Sequence, residues 1–445
     1  MPSSSPDRLP PDPAAGLEVR PFRALTYRVQ DAAHLARVTS PAYDLVTAAG
    51  RERLAGADPH NIVRLILPET DPAAESTPLR SAGGSPPWAA QAARTLGAWQ
   101  DEGVLVRDEV PALWVYELQP PDGGAPTVGW LGLVVLPGPG STAVLPHEDT
   151  IPDAVEGRRA LLAATRTDLE PIVLAHDPDA EVAELTDRVR RAEVTFQIED
   201  DDGVRHRLWR VTDAALVPRL AVAFGRTHAV IADGHHRFAA ARAHQRSDPG
   251  CRGCDAVLAL LTPMGAGGLR VAAIHRVLPD LRLDDATRDA AGGFTVEDVP
   301  VHGGRSSTDV AAAVHAWLAD TAASGYLLSD GSRLLRLSNP TSAVRDLVPP
   351  EAPAAWRGLD VVLAHRGLIE GLWSRTDEPG SVLIAHTVED ALRTAAERDG
   401  VAVLLRPPSP ADVGAVARAG ARMPRKSTLF VPKPRTGLVL RPLAD

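Results

Sequence analysis

The stretch Val230-Ile-Ala-Asp-Gly-His-His-Arg237 opens on apolar residues, turns through Asp-Gly and continues with cationic, helix-compatible residues. It predicts a short buried strand over residues 228–232 that runs directly into a helix over residues 235–245. Gly234 lets the junction turn tightly and lets a ligand approach the main chain. Asp233 is placed to cap the helix, its carboxylate accepting from the first unpaired backbone N–H groups. Such a helix start presents N–H donors and a positive dipole end, a natural seat for phosphate. Arg237, one turn in, adds a forked pair of charged donors. His235 and His236 can donate to phosphate oxygens or move protons near neutral pH. The plainer alternative is an ordinary capped helix with two surface histidines, since Asp-Gly turns are common.

Outward from this junction, helices and strands alternate. Residues 156–166 and 181–191 have helical spacing, and residues 171–175 and 256–262 read as extended. Asp201-Asp-Gly203 joins the strand-like runs 195–199 and 206–211 into a hairpin. Leu269–Leu278 is expected to pair with 256–262 across Gly265-Ala-Gly-Gly268. Nearer the N-terminus, Trp88–Asp101 is helical and two strands flank Pro120-Pro-Asp-Gly-Gly124. The C-terminal third sets helices at 308–321, 359–373, 388–398 and 411–419 among short extended runs. This interleaving predicts an α+β (mixed α/β), multi-domain chain. The expected divisions are a flexible leader (1–16), an N-terminal α+β domain (17–140), a central phosphate-binding domain (141–279) and a C-terminal α/β domain (280–445) completing the site. Pro137-Gly-Pro-Gly140 marks the first boundary, and a polar insertion from Pro68 to Pro87 interrupts the N-terminal domain.

Composition narrows the classes. With 445 residues, 44% hydrophobic and 23% charged, the chain can bury a large core across two or three domains. A formal charge of -10 disfavours non-specific binding to nucleic-acid backbones. Nothing approaches the roughly 18 apolar residues of a membrane span, and the Ser/Pro-rich start lacks an apolar signal core. Two cysteines cannot build a disulfide framework, which points to the cytoplasm. Cys251-Arg-Gly-Cys254 reads as a tolerated loop feature rather than a redox or zinc site. Adjacent histidines diverge by about 100° on a helix, so His235 and His236 are poorly placed to share one metal; no protein ligand to a metal is assigned. A Walker-type phosphate loop, a protein-kinase glycine loop and a G-x-S-x-G elbow are all absent from the sequence.

Two further clusters carry possible chemistry. In Leu145-Pro-His-Glu-Asp-Thr150, Glu148 is a candidate general base, a role that requires a carboxylate within reach of a hydroxyl proton. In Met423-Pro-Arg-Lys-Ser-Thr428 and Phe430-Val-Pro-Lys433, the residues Arg425, Lys426, Ser427, Thr428 and Lys433 concentrate cations and hydroxyls in an acidic chain. A polyphosphate donor needs such groups to neutralise its charge. A solvated basic turn is the alternative.

Taken together, these motifs resemble those of a large bacterial and archaeal family long catalogued only as a domain of unknown function. The resemblance is carried by Pro21-Phe-Arg23, Ser40-Pro-Ala-Tyr-Asp44, Asp58-Pro-His-Asn-Ile-Val-Arg-Leu65, Pro146-His-Glu148, Ala232-Asp-Gly-His-His-Arg237 and Met423–Thr428. That family looks related to free-serine kinases of the ParB/sulfiredoxin-like superfamily. The resemblance implies that the central domain is ParB/sulfiredoxin-like, with a phosphate site at Asp233–Arg237 and Glu148 as the catalytic carboxylate. It further implies O-phospho-L-serine made from L-serine, the donor being pyrophosphate or a nucleotide (ADP or ATP). Mg²⁺ is the expected cofactor; no nucleic-acid or membrane partner is expected, and oligomeric state is not read from the sequence. Rival readings are phosphoserine hydrolysis, a kinase for another small hydroxyl substrate, a ParB-like nucleotide-dependent DNA-binding or regulatory module, and a phosphate-binding scaffold without turnover.

Overall fold

The computed structural model describes residues 16–69, 85–304, 306–320, 322–378 and 380–444. All of the expected leader but Gly16, and most of the 68–87 insertion, lie outside the described residues. The chain divides into two compact units. Unit 1 comprises Met1–Pro146, Thr150–Leu269 and Pro432–Asp445, and unit 2 comprises His147–Asp149 and Arg270–Val431.

Unit 1 is built on a nine-stranded mixed sheet. Its strands in chain order are β1 (Val19–Arg20), β2 (Leu113–Gln119), β3 (Thr127–Val135), β4 (Val144–Leu145), β5 (Ile172–His176), β6 (Phe196–Glu199), β7 (Arg205–Val211), β8 (Ala229–Asp233) and β9 (Ala256–Pro263). Spatially they run β4-β8-β5-β9-β3-β2-β7-β6, with β1 pairing β3. Strands on both sides of Pro137–Gly140 therefore belong to one sheet. β3 and β9 are almost continuously apolar because both of their faces are covered. The expected hairpin forms: β6 and β7 are antiparallel, with Phe196 opposite Leu208.

One expected pairing does not form. β9 lies between β3 and β5, so both of its hydrogen-bonding edges are taken. The segment after Gly268 pairs elsewhere, Arg270–Ala272 with Leu429–Val431 and His275–Leu278 with Leu383–Ala385 and Val401–Leu404.

Four helices matter for the site: α1 (Pro152–Thr165), α2 (Ala180–Arg190), α3 (Leu216–Phe224) and α4 (His235–Ser247). Proline at the first position starts α1, and the Asp179 carboxylate accepts from the Glu181 and Val182 N–H groups to start α2. Ile172, Leu174, Trp130, Leu220, Phe224, Ile231 and Phe238 belong to one buried cluster. Burying each such side chain stabilises the unit by about 1.5–3 kcal/mol. The last residues return along unit 1 as a strap. Ser40 and Thr436 exchange backbone hydrogen bonds of 3.1 and 2.8 Å, and Arg435, buried, donates to Thr39 Oγ1 at 2.6 Å. This strap delivers Lys433 to the site.

Unit 2 holds a six-stranded antiparallel sheet: β10 (His275–Leu278), β11 (Thr295–Asp298), β12 (Tyr326–Ser329), β13 (Leu334–Ser338), β14 (Leu383–Ala385) and β15 (Val401–Leu404), in the order β11-β13-β12-β15-β10-β14. Helices α5 (Ser307–Ala319) and α6 (Val388–Glu397) contribute Val310, Val314, Ala391 and Leu392 to its core. Where the spacing predicts one helix over 359–373, a single α-turn (Asp360–Leu363) passes into a π-helix (Ala364–Leu372).

Candidate functional site

In unit 1 the strand-to-helix junction is as the sequence predicts, but Asp233 does not cap α4. Gly234 occupies the cap position at φ +90, a conformation suited to glycine, and among the described residues no side chain caps the helix. The Asp233 carboxylate instead accepts from Arg237 Nη2 at 2.5 Å and lies 2.8 Å from Lys433 Nζ. Charged donors bind a carboxylate more strongly than neutral N–H groups do, and here two are within reach.

Lys433 Nζ also lies 2.5 Å from Asp44 Oδ2, so one ammonium joins two carboxylates. Its side chain is only 7% exposed. Burial works against the ammonium, yet Asp233 and Asp44 outweigh it and hold the Lys433 pKa above its ordinary value. Arg237 behaves alike: burial opposes its charge, and Glu170, Asp233 and Asp44 raise its pKa. Its Nη1 donates to the Pro171 carbonyl at 2.6 Å. Glu170 Oε1 accepts from the Tyr43 N–H (3.0 Å) and Thr436 Oγ1 (2.9 Å), joining the Ser40–Asp44 motif to the C-terminal strap.

The Tyr43 ring borders a hollow of about 660 Å³ that Arg51, Glu52, Trp88 and Arg158 also line. Arg158 places its guanidinium carbon 3.7 Å from the Tyr43 centroid. His236 Nε2 accepts from the Ile151 N–H at 3.1 Å, which puts its proton on Nδ1. His235 is buried at the start of α4.

In unit 2, Glu148 is met by a hydroxyl. Thr428 Oγ1 donates to Glu148 Oε1 at 2.9 Å and lies 2.9 Å from His147 Nε2. A hydroxyl has one hydrogen, so His147 Nε2–H donates to Thr428 in this chain. His147 is fully buried, and its carbonyl accepts from the Met423 N–H at 2.8 Å. The Met423–Thr428 turn is braced from behind. Arg276, buried, donates to the carbonyls of Arg425 (3.1 Å) and Lys426 (2.9 Å), and through Nε to His365 Nε2 at 3.0 Å. His365 Nδ1 lies 3.3 Å from Asp377 Oδ2, and Asp377 Oδ1 accepts from Arg425 at 3.0 Å. Burial would raise the Asp377 pKa, but His365 and Arg425 pull it down to about 2. Arg276 is lowered to about 10, chiefly by burial.

The sequence-derived candidates thus fall into two groups. Asp233, Gly234, Arg237 and Lys433 meet in unit 1, while Glu148 and Thr428 meet in unit 2. Arg425 is engaged with Asp377, and the Ser427 hydroxyl donates to the Pro424 carbonyl at 2.7 Å. Lys426 is exposed at φ +53. Sequence reasoning passed over Asp44, Tyr43, Glu170 and the hydrogen-bonding role of His147. Asp44, Tyr43 and His147 stood inside quoted motifs; Glu170 had no local signal.

Fold and site define an α+β protein with buried cations gathered at the start of a helix and a carboxylate–hydroxyl–imidazole chain in a separate unit. Residues 19–362 match the family described as "Protein of unknown function (DUF1015)", and the chain belongs to that family. Among solved structures it is similar to a free serine kinase in complex with AMP, at 13% identity and a TM-score of 0.30, covering 66% of this chain and 88% of that one. It is also similar to SbnI with a C-terminal truncation from Staphylococcus aureus (14% identity, TM-score 0.37, covering 71% and 88%). A third similarity is to a conserved hypothetical protein from Pyrococcus furiosus (12% identity, TM-score 0.28, covering 65% and 87%). No curated protein matches the sequence. Among the described residues, no helix is long and apolar enough to cross a membrane.

Proposed function

We propose that this protein transfers a phosphoryl group to the hydroxyl of free L-serine, giving O-phospho-L-serine, with pyrophosphate or a nucleotide as donor. The observation that carries the reading is the start of α4, where Arg237 and Lys433 stay charged beside a glycine-turned helix end without a side-chain cap. Backbone N–H groups at such an end, with an arginine and a lysine, suit a polyphosphate. The 660 Å³ hollow beside Tyr43 is within the size range of small-molecule sites and leaves room for a donor larger than pyrophosphate.

In unit 2, Glu148 is assigned as the base. The serine oxygen forms its bond to the terminal phosphorus, the bond from that phosphorus to the bridging oxygen of the donor breaks, and the hydroxyl proton passes to the catalytic carboxylate. Thr428 holds that carboxylate in orientation. Asp44 and Asp233 are hard oxygen donors of the kind Mg²⁺ takes; both now engage Lys433 Nζ, so they would hold the ion only with that ammonium turned to the donor phosphates. When bound there, the ion would supply charge neutralisation to the donor phosphates. Arg237 and Lys433 hold phosphoryl oxygens throughout. A cytoplasmic location belongs to the same proposal.

The test is a donor panel. Purified protein, L-serine and Mg²⁺ are incubated with pyrophosphate, ADP or ATP, and phosphoserine is followed by mass. The expected result is phosphoserine with at least one donor, lowered about 10²–10⁴-fold by Glu148→Gln. Release of phosphate from phosphoserine without formation would favour the hydrolytic direction, and no turnover with any donor would sink the reading.

A further inference from the structure

Cys251 and Cys254 lie in the loop that follows α4, and the sequence spacing alone marks them as a bare pair. The fold adds a third group. One ring nitrogen of His244, in the last turn of α4, and the two sulfurs all lie within 4.8 Å of one another. His244 is only 5% exposed, yet among the described residues neither Nδ1 nor Nε2 has a hydrogen-bond partner. A buried imidazole with both nitrogens unsatisfied is rare, because each lost water bond is normally replaced. Here the nearby ligand-type atoms are sulfurs.

The loop is held in place independently. The Cys251 N–H donates to the Asp248 carbonyl at 3.0 Å, and Arg441, buried and paired with Asp168, donates to the Gly253 carbonyl at 2.5 Å. Arg166 Nη2 stands 3.4 Å from Cys251 Sγ, and a cation there favours a thiolate. In this structure the two sulfurs are joined as a disulfide. Reduction by a phosphine takes its two protons and the oxygen of the phosphine oxide from water, and reduction by two thiols releases their disulfide; either gives the two cysteine thiols.

We propose that His244, Cys251 and Cys254, in the reduced protein, form a binding site for a Zn²⁺-class cation. Two thiolates and one imidazole are a ligand set that selects zinc over magnesium or calcium, and binding expels the two thiol protons to solvent. Tetrahedral zinc with these bond lengths keeps its ligand atoms about 3.3–3.8 Å apart, so the two sulfurs, now bonded to each other, move apart once the disulfide is reduced. The described residues of the cluster supply three ligands, so a fourth position is left for water or a small anion. This inference does not depend on the phosphotransfer reading, since none of the three residues belongs to that site.

The experiment uses full-length protein reduced with tris(2-carboxyethyl)phosphine, stripped of metal by a chelator and titrated with Co²⁺, then Zn²⁺. The expected result is one equivalent of Co²⁺ with a thiolate-to-cobalt charge-transfer band that Zn²⁺ displaces. Cys251→Ser, at a half-buried position, and His244→Gln should each weaken binding more than about 100-fold, beyond the usual effect of an outer-shell change. Circular dichroism verifies that both variants fold. The disulfide form should bind no equivalent. Absence of the band in reduced protein, or equal binding by the disulfide form or by folded Cys251→Ser, would overturn the proposal.

Discussion

Lys433 in unit 1 and Arg276 in unit 2 are both buried cations, and their surroundings treat them oppositely. Lys433 sits between two carboxylates, with a third, Glu170, close to its neighbour Arg237, and its pKa is raised. Arg276 faces main-chain carbonyls and an imidazole, reaches Asp377 only through His365, and is lowered to about 10. Carbonyls hold an arginine in a fixed geometry but compensate its charge poorly. Carboxylates compensate charge well and can exchange partners when an anion or a cation arrives. The first arrangement suits binding and the second suits bracing a turn.

The comparison breaks most visibly at Lys433. Lys433→Met removes the ammonium that Asp44 and Asp233 share, leaving Asp233 with Arg237. Turnover in the donor panel is expected to vanish, and urea denaturation should show a loss of about 3 kcal/mol, as for removal of one partner from a buried pair. Retained turnover would remove Lys433 from the donor site.

Arg276→Met is the matching test in unit 2. It strips the Arg425 and Lys426 carbonyls and His365 of their donor, so stability should fall by about 2–3 kcal/mol. Because Arg276 is only a brace, the folded variant should retain binding of pyrophosphate, measured by calorimetry. Loss of that binding in folded protein would erase the distinction between the two cations.

The smallest effect sharpens the same contrast through pH. The folded pKa of Asp377, about 2, lies below the roughly 3.9 of an unfolded aspartate. Its contribution is therefore present above about pH 4 and is lost as pH falls toward 2. Asp377→Asn should lower the urea midpoint at pH 6, with the difference from wild type shrinking between pH 4 and pH 2. A constant difference across that range would show that Asp377 acts through its shape, not its charge.

Local order was legible in the chain. The β8–Gly234–α4 junction, the β6–β7 hairpin and helix α1 follow from apolar periodicity and turn residues, which act over a few positions. The pairing expected between 256–262 and 269–278 failed because β9 already had neighbours on both edges, and competition for an edge is invisible in a linear pattern. Asp233 reads as a cap for a similar reason: nothing nearby reveals that Lys433 is present. His244 escaped notice because its relation to Cys251 and Cys254 depends on how the loop folds back beneath α4.

By itself, then, the sequence determined the strand–glycine–helix unit, the α+β class and the motifs that mark the family. Those depend on neighbours along the chain and on steric rules at single residues. Tertiary structure alone decided which charges meet: the Asp44–Lys433 contact spans 389 positions. No local propensity encodes such a contact, because it exists only once the strap has paired with Ser40 and burial has made each carboxylate require a cation.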